Sequence, residues 1–523
     1  MEELKKIWQS GLIKKIVKAN LVIFAVWYLK KFLAYLKWRK NVLATYPMSK
    51  PNLILGNVMD IVDAGGFDET YFKRIHSKFG EFTGFFLFSS MLNLSLANPE
   101  HVVELYKKTA SRPYETKTFL FYLGDENLLF THGEMAKAMR LRYGKMISNT
   151  EQLAKVNRVS YQNFGTLFDS WGDKSEIDAW AEVAPVIYET MGSVMFGEAW
   201  EQNDTGDRVY ELHKFLIANV NTYMFLPWRK PFGYLDYCAK IREWRSLMDN
   251  MLKLREAQIA ADPEKWKDDE TALTLLLTSK DKDGNPFFSR SRMISTTCGF
   301  LNGAYDTTHA TTFWMFYHLA KFPEVQEKLR LEIFKVLGSR KEASISEARQ
   351  IEYLEAFIRE SMRYKATVPV NQRINYEEDI TVGGWKIPKG TCVNIPNVLA
   401  SMNPDYYGPD VDEFRPGRFL SSDPWSKKAK GAWVAFGGYR RMCIGFTFAL
   451  VELKAILISL LQRYRVELVD PKIDPGNMVE AGVNQPENHV MFRFVKHDAH
   501  AIAVENNLKW WGLKGSSSGP SQA

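Results

Sequence analysis

Residues 436 to 445, FGGYRRMCIG, place a lone cysteine among glycines and arginines, directly before the apolar run FTFALVELKAILISLL. A free cysteine usually behaves as a small buried hydrophobe, and Cys443 taken alone fits that ordinary role. The glycines and the neighbouring Arg440 and Arg441 favour a second interpretation, in which the thiol does chemistry. Whether Cys443 is a structural or a chemically active residue depends on the motifs in the rest of the sequence.

A second candidate group lies inside the longest predicted helix, which begins near Ser291 and ends at Phe322, before Pro323. Such a helix is about 45 Å long and crosses a whole domain. Its centre, GAYDTTH at residues 303 to 309, consists largely of poor helix formers. Conflict between local preference and a long helix is typical of functional sites. A packing notch, in which a threonine bonds to a carbonyl one turn earlier, explains it equally well.

A third group lies in YLEAFIRESMRYKATVP, an amphipathic helix at residues 353 to 369 that is broken before Pro369. Glu360 and Arg363 stand three residues apart on one face of this helix, where they can pair. An exposed pair of this kind contributes only about 0–1 kcal/mol. The pair becomes structurally decisive only in a buried site with further partners.

The composition allows a large globular core, because 46% of the 523 residues are hydrophobic and 14% are aromatic. Most of the chain has helical spacing. Two strand-rich patches stand out, a hairpin in EFTGFFLFSSMLNLSLANPE and a longer patch at residues 370 to 395. We therefore predict a mainly α fold, with a single domain over residues 58–500.

Charge and cysteine usage exclude several classes of function. The formal net charge of +7 is spread among acidic residues rather than gathered in a basic arm, which argues against nucleic acid as a partner. The four cysteines stand far apart without metal-ligand spacing, so neither a disulfide framework nor a structural zinc site is expected. A reducing compartment fits best.

The first 40 residues form a predicted membrane anchor with basic flanks. The apolar stretch from Ala19 to Leu29 is shorter than the roughly 20 residues of a bilayer span, and lengthening it includes two lysines. A basic amphipathic helix lying on the membrane is the alternative. Residues 41–57 are predicted to be a proline-containing connector, and residues 501–523 a tail that is disordered at its end.

Four segments in this order, GAYDTT, ESMR, EFRPGRF and FGGYRRMCIG, resemble the cytochrome P-450 superfamily of haem-thiolate proteins. The resemblance covers about residues 45 to 495. The cysteine motif combined with the upstream Glu-x-x-Arg is highly specific, whereas the shorter segments alone are weak signals. The family fold is a triangular helical body with a small mixed β-sheet region, and the N-terminal anchor is similar to that of microsomal members.

The resemblance implies that Cys443 is the thiolate ligand of the iron in haem b. Physical chemistry agrees, because Cys443 precedes a helix starting near Gly445, whose positive dipole end and N–H groups favour an anion. A thiolate ligand promotes O–O bond cleavage. Phe436 and Gly445 occupy the other cofactor-binding positions of the motif.

Three arginines are implied as partners of the haem propionates: Arg441 of the cysteine motif, Arg373 in the VNQR strand and Arg140 in GEMAKAMRLR. Ala136 replaces the usual tryptophan one turn before Arg140, which removes one propionate donor. Tyr439 replaces the usual glycine of the cysteine motif. A tyrosine there can alter the loop and the hydrogen bonding around the sulfur.

The resemblance also assigns the two helix motifs. Asp306 and Thr307 match the acid–alcohol pair that relays protons during oxygen activation. Glu360, Arg363 and Arg418 are expected to form a buried network that holds the cysteine loop. Removing one member of such a network strands a charge at about 3–5 kcal/mol.

The implied activity is that of a monooxygenase, which inserts one oxygen atom from O2 into a lipid-, steroid- or terpenoid-like molecule. Aromatic segments at 114–130, 221–234 and 481–488 resemble the substrate-contacting regions. Electrons would come from an NADPH-dependent flavoprotein reductase, with cytochrome b5 as a second candidate donor. The implied location is the endoplasmic reticulum membrane, with the catalytic domain on its cytosolic face.

Basic residues could form the reductase docking patch, or they could simply be solvated charges: Lys137, Arg142, Lys145, Lys427, Lys428 and Lys430. Two other functions stay open. A haem-thiolate isomerase or dehydratase of lipid peroxides would need no reductase, and an intact Asp306–Thr307 pair counts against it. A non-catalytic haem-binding protein is the second, which Tyr439 and Ala136 slightly favour.

Overall fold

The computed structural model divides the chain into two compact units, residues 1–95 and 96–523. The predicted disordered tail, residues 501–523, lies outside the part of the chain that the structure describes. The structure describes residues 12–113, 121–172, 176–201, 205–225, 231–480 and 482–496.

The first unit contains a long helix, two shorter helices and a hairpin. Their bounds are α1 Leu12–Thr45, α2 Val58–Val62, α3 Glu69–Phe79, β1 Phe82–Leu87 and β2 Met91–Leu96. Helix α3 begins where the Asp68 side chain accepts the backbone N–H groups of Thr70 and Tyr71. Tyr71 on this helix is fully buried, and its ring packs edge-on against Phe85 of β1 at 5.6 Å. The predicted hairpin is confirmed.

Helix α1 contains a stretch, Val17–Thr45, that is long and apolar enough to cross a membrane. This stretch has 29 residues, and its most apolar 18 residues have a mean hydropathy of 1.4 and are not buried. The helix continues past residue 40, where we expected the connector to begin.

Arg39, one of the basic residues that follow the apolar stretch, is buried within the first unit. Its side chain is only 6% exposed. Its Nη2 donates to the carbonyl oxygens of Pro51 at 2.8 Å and Asn52 at 2.6 Å, and its Nη1 donates to Ser89 at 3.1 Å. These turn carbonyls need donors, and the guanidinium supplies them.

The second unit is mainly helical, as predicted. Its helices are α4 Pro99–Lys108, α5 Gly133–Ser148, α6 Thr150–Trp171, α7 Ala179–Phe196, α8 Glu198–Glu201, α9 Thr205–Phe225, α10 Pro231–Ala261, α11 Ala272–Thr278, α12 Arg290–Lys321, α13 Pro323–Leu337, α14 Ile345–Gln350, α15 Glu352–Tyr364, α16 Asn397–Ser401, α17 Pro404–Tyr407, α18 Ser426–Ala432 and α19 Phe446–Leu461. Short 3-10 turns lie at Phe121–Leu123, Pro416–Phe419 and Tyr439–Arg441.

Four antiparallel strand pairs are formed in the second unit. The strands are β3 Val370–Ile374, β4 Ile380–Val382, β5 Trp385–Ile387, β6 Cys392–Pro396, β7 Tyr464–Leu468, β8 Met478–Glu480, β9 Val483–Gln485 and β10 Phe492–Lys496. Strand β3 pairs with β6, β4 with β5, β7 with β10 and β8 with β9. The strand-rich patch predicted at residues 370 to 395 is therefore confirmed.

Helices α12 and α19 form the centre of the core and position the site. The predicted span of α12 is confirmed to within a residue at each end. It is buried along most of its length and packs against α7, α10 and β7. Helix α19 is mostly apolar, its residues Leu450 to Leu461 are all buried, and it packs on α6, as expected for a helix with no solvent face.

Candidate active site

The cysteine loop is held by its own backbone immediately before α19. The N–H of Cys443 donates to the carbonyl of Phe436 at 2.8 Å, and Gly437 N–H donates to Val434 at 2.7 Å. Gly445 is the N-cap residue of α19, and its carbonyl accepts the N–H of Ala449 at 2.8 Å. Cys443 therefore lies at the N-terminus of this helix, as predicted.

The thiol of Cys443 is accessible although the loop packs closely around it. Its side chain is exposed, yet protein surrounds it closely enough for burial to raise the pKa of the thiol. A hydrogen bond from the backbone of Gly445 and the positive charges of Arg140 and Arg112 act in the opposite direction on that pKa. These groups stabilise the thiolate that a metal ion requires.

Tyr439 keeps the loop in a conformation that glycine adopts freely. Its φ is +49°, in the left-handed region that costs a residue with a Cβ about 1–2 kcal/mol. The ring is 50% exposed, and the Nζ of Lys107 lies 5.5 Å from its centre. The tyrosine therefore points outward, and its effect on haem affinity stays a prediction.

Arg441, the arginine of the cysteine motif, bonds to backbone carbonyls. Its Nε donates to Ala110 at 2.7 Å, its Nη1 donates to Leu128 at 3.0 Å, and its Nη2 donates to Thr131. These bonds tie the cysteine loop to the chain between α4 and α5. We had expected Arg441 to pair with a haem propionate, and the structure gives it this additional structural role.

Arg373 has the clearest unused donors in the site. Its side chain is 1% exposed, and only its Nη1 is bonded, to the carbonyl of Gln372 at 2.8 Å. Its Nε and Nη2 have no hydrogen-bond partner in the described part of the chain. Buried guanidinium groups are rarely left in this condition, so Arg373 fits an anionic group bound beside it.

Arg112 joins the predicted arginines although no motif singles it out. Burial, followed by the charges of Arg373 and Arg441, lowers the pKa of Arg112 to about 9. Its Nε is also unpartnered in the described structure. Arg140 donates to the carbonyl of Met442 at 2.5 Å. Only its position before Pro113 marks Arg112 in the sequence, and that signal is too weak to find it.

These four residues, Arg112, Arg140, Arg373 and Arg441, are called the arginine cluster below. None of them forms a salt bridge with an acidic residue of the described ranges. Burial, with smaller contributions from their mutual charges, lowers the pKa values of Arg112, Arg373 and Arg441. The two carboxylates of a haem would supply the missing negative charge. The residues present therefore fit the predicted cofactor.

One face of α12 borders open space. A Cβ added to Gly303 would meet no atom within 4 Å, although most of this helix is buried. The hydroxyl of Thr307 donates to the carbonyl of Gly303 at 2.8 Å. The packing notch and the functional cavity were posed as alternatives, and the structure contains features of both.

Asp306 lies in different surroundings from its neighbour Thr307. Its carboxyl is buried, and its Oδ2 accepts a hydrogen bond from Asn302 Nδ2 at 2.6 Å. Burial, with a smaller contribution from the carboxyl of Glu480, raises the pKa of Asp306 well above its usual range. This shift favours the protonated, neutral form of the Asp306 carboxyl. Sequence reasoning missed Asn302, although it stands four residues earlier on the same helix face.

Glu360, Arg363 and Arg418 are brought together as predicted. Arg363 Nε and Arg418 Nε reach the Glu360 carboxylate at 2.7 and 3.0 Å, and all three side chains are 0% exposed. Arg418 also pairs with Asp410 at 3.1 Å. This set is called the closed network below, and its role in haem retention stays a prediction.

The closed network is linked to the cysteine loop through a tryptophan. Trp433 Nε1 donates to the carbonyl of Arg359, the residue before Glu360, at 3.1 Å. The ring of Trp433 packs against Phe436 at 5.7 Å between centroids, and Phe436 packs edge-on against Phe446 of α19 at 5.0 Å. Phe436 thus connects the loop to both helices.

Arg142 departs from the predicted docking patch. Its guanidinium lies 3.5 Å from the ring centre of Phe287 and donates to the carbonyl of Lys280 at 3.1 Å. It is therefore engaged within the fold, whereas the lysines of the patch are exposed. Parts of the predicted substrate-contacting segments, residues 114–120, 226–230 and 481, lie outside the described residues.

Comparison with known proteins identifies the family. The family model for cytochrome P450 matches residues 47–493. A sterol 14alpha-demethylase of Mycolicibacterium vanbaalenii is 23% identical over 76% of this chain and 87% of its own. The mitochondrial 1,25-dihydroxyvitamin D(3) 24-hydroxylase of Mus musculus is 23% identical over 84% of this chain and 87% of its own.

Among solved structures, the retinoic acid-bound cyanobacterial CYP120A1 has the same fold, with a TM-score of 0.75 at 20% identity. The match covers 87% of this chain and 99% of that one. The cofactor of this fold and family is a haem ligated by a cysteine thiolate. The cysteine loop at the start of α19 and the match over residues 47–493 lead to one conclusion: this chain is a monooxygenase that belongs to the cytochrome P450 family.

Proposed function

We propose that this enzyme inserts one oxygen atom from O2 into a hydrophobic small molecule of lipid, steroid or terpenoid type, with electrons from an NADPH-dependent flavoprotein reductase. The observation that carries the proposal is the open face of α12 at Gly303 and Thr307, next to Asp306, whose pKa burial raises well above its usual range. An oxygenase consumes protons, and this arrangement can store and deliver them.

The haem supplies reductive activation of O2 when it is bound, with the cysteine thiolate as electron donor to the iron. Cys443 would hold the iron. The unpartnered N–H groups of Arg373 and Arg112 would hold the carboxylates, and Arg140 stands beside the loop to add positive charge.

The chain's own groups handle the proton. The hydrogen of the Thr307 hydroxyl is used in its bond to the Gly303 carbonyl, so the oxygen of that hydroxyl is left as an acceptor for a water on the open face. Asp306 keeps a proton one residue away. Thr307 would orient a water molecule, and Asp306 would supply that water with a proton.

The substrate class is supported by the names of the relatives. A sterol demethylase, a vitamin D hydroxylase and a retinoic acid-bound protein are all named for lipid-like molecules. The aromatic segments at 114–130 and 221–234 agree with an apolar pocket.

We also propose that α1 attaches a catalytic domain, residues 58–500, to the endoplasmic reticulum membrane on its cytosolic face. The stretch Val17–Thr45, whose most apolar 18 residues are not buried, supports attachment to a membrane. The exposed lysines 137, 145, 427, 428 and 430 offer a basic surface to an acidic reductase, or to cytochrome b5.

The test uses the full chain in phospholipid vesicles with a flavoprotein P450 reductase, NADPH, labelled O2 and a panel of sterols, retinoids and terpenoids. We expect one labelled oxygen atom in the product, with both NADPH and reductase required. Conversion of lipid hydroperoxides without reductase, and no labelled product from the panel, would instead show a peroxide isomerase or dehydratase.

A further inference from the structure

A single atom of Asn302 is the meeting point of three polar groups. Its Nδ2 lies 2.6 Å from Asp306 Oδ2, 3.0 Å from the hydroxyl of Tyr122 and 3.3 Å from Nε2 of His213. Asn302 is 8% exposed, and Tyr122 and His213 are 0% exposed. The four side chains therefore form one buried polar cluster on the side of α12 that carries Asn302 and Asp306.

The Nδ2 atom of Asn302 has fewer hydrogens than it has polar neighbours. An amide nitrogen has two hydrogens, whereas three groups face this nitrogen. The amide oxygen and nitrogen have nearly the same shape, so a half-turn of the Asn302 amide places Oδ1 at the same point. There Oδ1 can accept from the Asp306 carboxylic acid and from the Tyr122 hydroxyl.

The two orientations of the amide match the two protonation states of Asp306. A carboxylate needs a donor, which Nδ2 supplies, and a carboxylic acid needs an acceptor, which Oδ1 supplies. Without a partner of either kind, one of the two states would be left buried and unbonded, which is strongly unfavourable.

We propose that Asn302 is a positioning residue whose amide turns with the protonation state of Asp306, so that this acid can release and regain a proton while it remains buried. When the proton passes to a water molecule, the bonding electron pair stays on the carboxylate and Nδ2 turns to donate to it. A hydrated proton that arrives from the solvent restores the acid and leaves its water behind, and Oδ1 turns back.

His213 and Tyr122 can follow this turn. Nδ1 of His213 has no partner in the described structure, so no hydrogen bond fixes which ring nitrogen carries the proton. Nε2 can therefore donate to Oδ1 or accept from Nδ2. The Tyr122 hydroxyl can do either as well.

The surroundings keep the His213 ring uncharged. The ring of His213 stacks on Trp244 at 5.2 Å and lies 5.5 Å from Tyr188 and 5.7 Å from Tyr305. Burial lowers the pKa of His213 to about 3. Because His213 is neutral, it does not form an ion pair with Asp306, and the proton can stay on the acid between turnovers.

The first test is infrared spectroscopy of the haem-loaded full chain at neutral pH. The carbonyl stretch of the Asp306 acid is identified by its loss in Asp306→Asn. In Asn302→Leu the acid loses its acceptor, so we expect this band at higher frequency. Asn302→Ala removes the amide without adding bulk, and it serves if the leucine variant does not fold.

Cys298→Ala is the matched control, because Cys298 is buried one turn earlier on the same helix. We expect its Asp306 band to coincide with that of the wild type. An unchanged band in the Asn302 variants, or no Asp306 band in the wild type, would overturn the proposal.

The second test measures turnover, because the carboxylate of Asp306 forms only when its proton is delivered. This test rests on the proposed oxygenase function. Loss of the donor to a charged group is expected to lower kcat about tenfold or more in Asn302→Leu, with KM unchanged and a larger solvent isotope effect. A shifted Asp306 band together with an unchanged kcat would show that the Asn302 amide does not stabilise the carboxylate of Asp306, and would overturn that half of the proposal. If the wild type oxidises no substrate, the proposed function fails. The infrared test then still decides whether the Asn302 amide bonds to the carboxylic acid of Asp306.

Discussion

Two groups of arginines in the second unit, buried or partly buried, differ in what balances their charge. In the closed network, Arg363 and Arg418 share the carboxylate of Glu360 within 3.0 Å. In the arginine cluster, no acidic residue of the described ranges forms a salt bridge, and Arg373 has two unpartnered donors. The first group is complete within the protein, whereas the second is arranged around an anion that must be bound.

This difference has an energetic meaning. A buried charge with its partner in place contributes little net stability, but removal of the partner is strongly destabilising. A buried charge without a partner destabilises the protein until an anion arrives. The closed network should therefore govern folding, and the arginine cluster should govern haem binding.

Removal of the carboxylate from the closed network is expected to have the largest effect. Glu360→Gln leaves Arg363 and Arg418 buried without their counter-charge, so the free energy of unfolding should fall by about 3–5 kcal/mol. Urea unfolding of the full chain in detergent measures this loss.

The matched control for this variant is Glu355→Gln on the same helix. Glu355 is 37% exposed and pairs with Arg359 at 2.8 Å and Lys454 at 3.0 Å. A partly exposed pair contributes at most about 1 kcal/mol. Equal losses in the two variants would contradict a special role for the closed network.

Removal of one arginine from each group should give opposite results. Arg373→Met removes an unpartnered charge, so the apoprotein should keep or gain stability, whereas haem should be released about tenfold to a hundredfold more readily. Arg418→Met should destabilise the apoprotein. Haem transfer to apomyoglobin and urea unfolding measure the two effects. If Arg373→Met weakens the apoprotein as Arg418→Met does, the contrast between the groups is wrong.

A pH titration should sharpen the description of the closed network. His318 lies against it, with Nδ1 2.8 Å from Ser361 Oγ, and burial, aided by the charges of Lys365 and Arg363, lowers the pKa of His318 to about 3. Its ordinary value is about 6.5. Below that value the unfolded chain takes up a proton that the folded chain does not, so stability falls as the pH falls.

We therefore expect the free energy of unfolding to fall by about 1.4 kcal/mol more per pH unit in the wild type than in His318→Gln, as the pH is lowered from about 6 to about 4. Above about pH 7 the two curves should run parallel. Urea unfolding at a series of pH values measures both slopes. Coincident slopes at acidic pH would show that His318 is protonated in the folded chain.

The smallest predicted effect concerns backbone strain beside the arginine cluster. Tyr439→Gly relieves the positive φ of +49° and should raise the free energy of unfolding by about 1 kcal/mol. Tyr439→Ala keeps the Cβ and should show no such gain. Thermal unfolding compares them, and an equal gain in both variants would assign the effect to the ring instead.

Sequence reasoning predicted the elements whose pattern is local. The limits of α12, the hairpin of β1 and β2, and the position of Cys443 before α19 follow from apolar spacing, turn residues and a specific motif. Arg363 was predicted as a partner of Glu360 from its spacing on one helix face. Arg418, 58 residues from Glu360, was implied only by the resemblance to the cytochrome P-450 superfamily.

The rest depends on contacts between distant segments. Arg112 enters the site only because the chain before α5 folds against the cysteine loop, and Arg39 is buried only because three turn carbonyls face it. Asn302 has its role only through Tyr122 and His213, from other parts of the chain. No local pattern distinguishes these residues from ordinary surface or core residues.

The central claim is that Cys443 ligates a haem as a thiolate, and one measurement tests it most directly. The haem-loaded full chain and its Cys443→Ser variant are reduced, exposed to carbon monoxide and compared by difference absorption spectroscopy. We predict a strongly red-shifted Soret band in the wild type that is lost in the variant. A band at the position of histidine-ligated haem, unchanged by the substitution, would contradict the account.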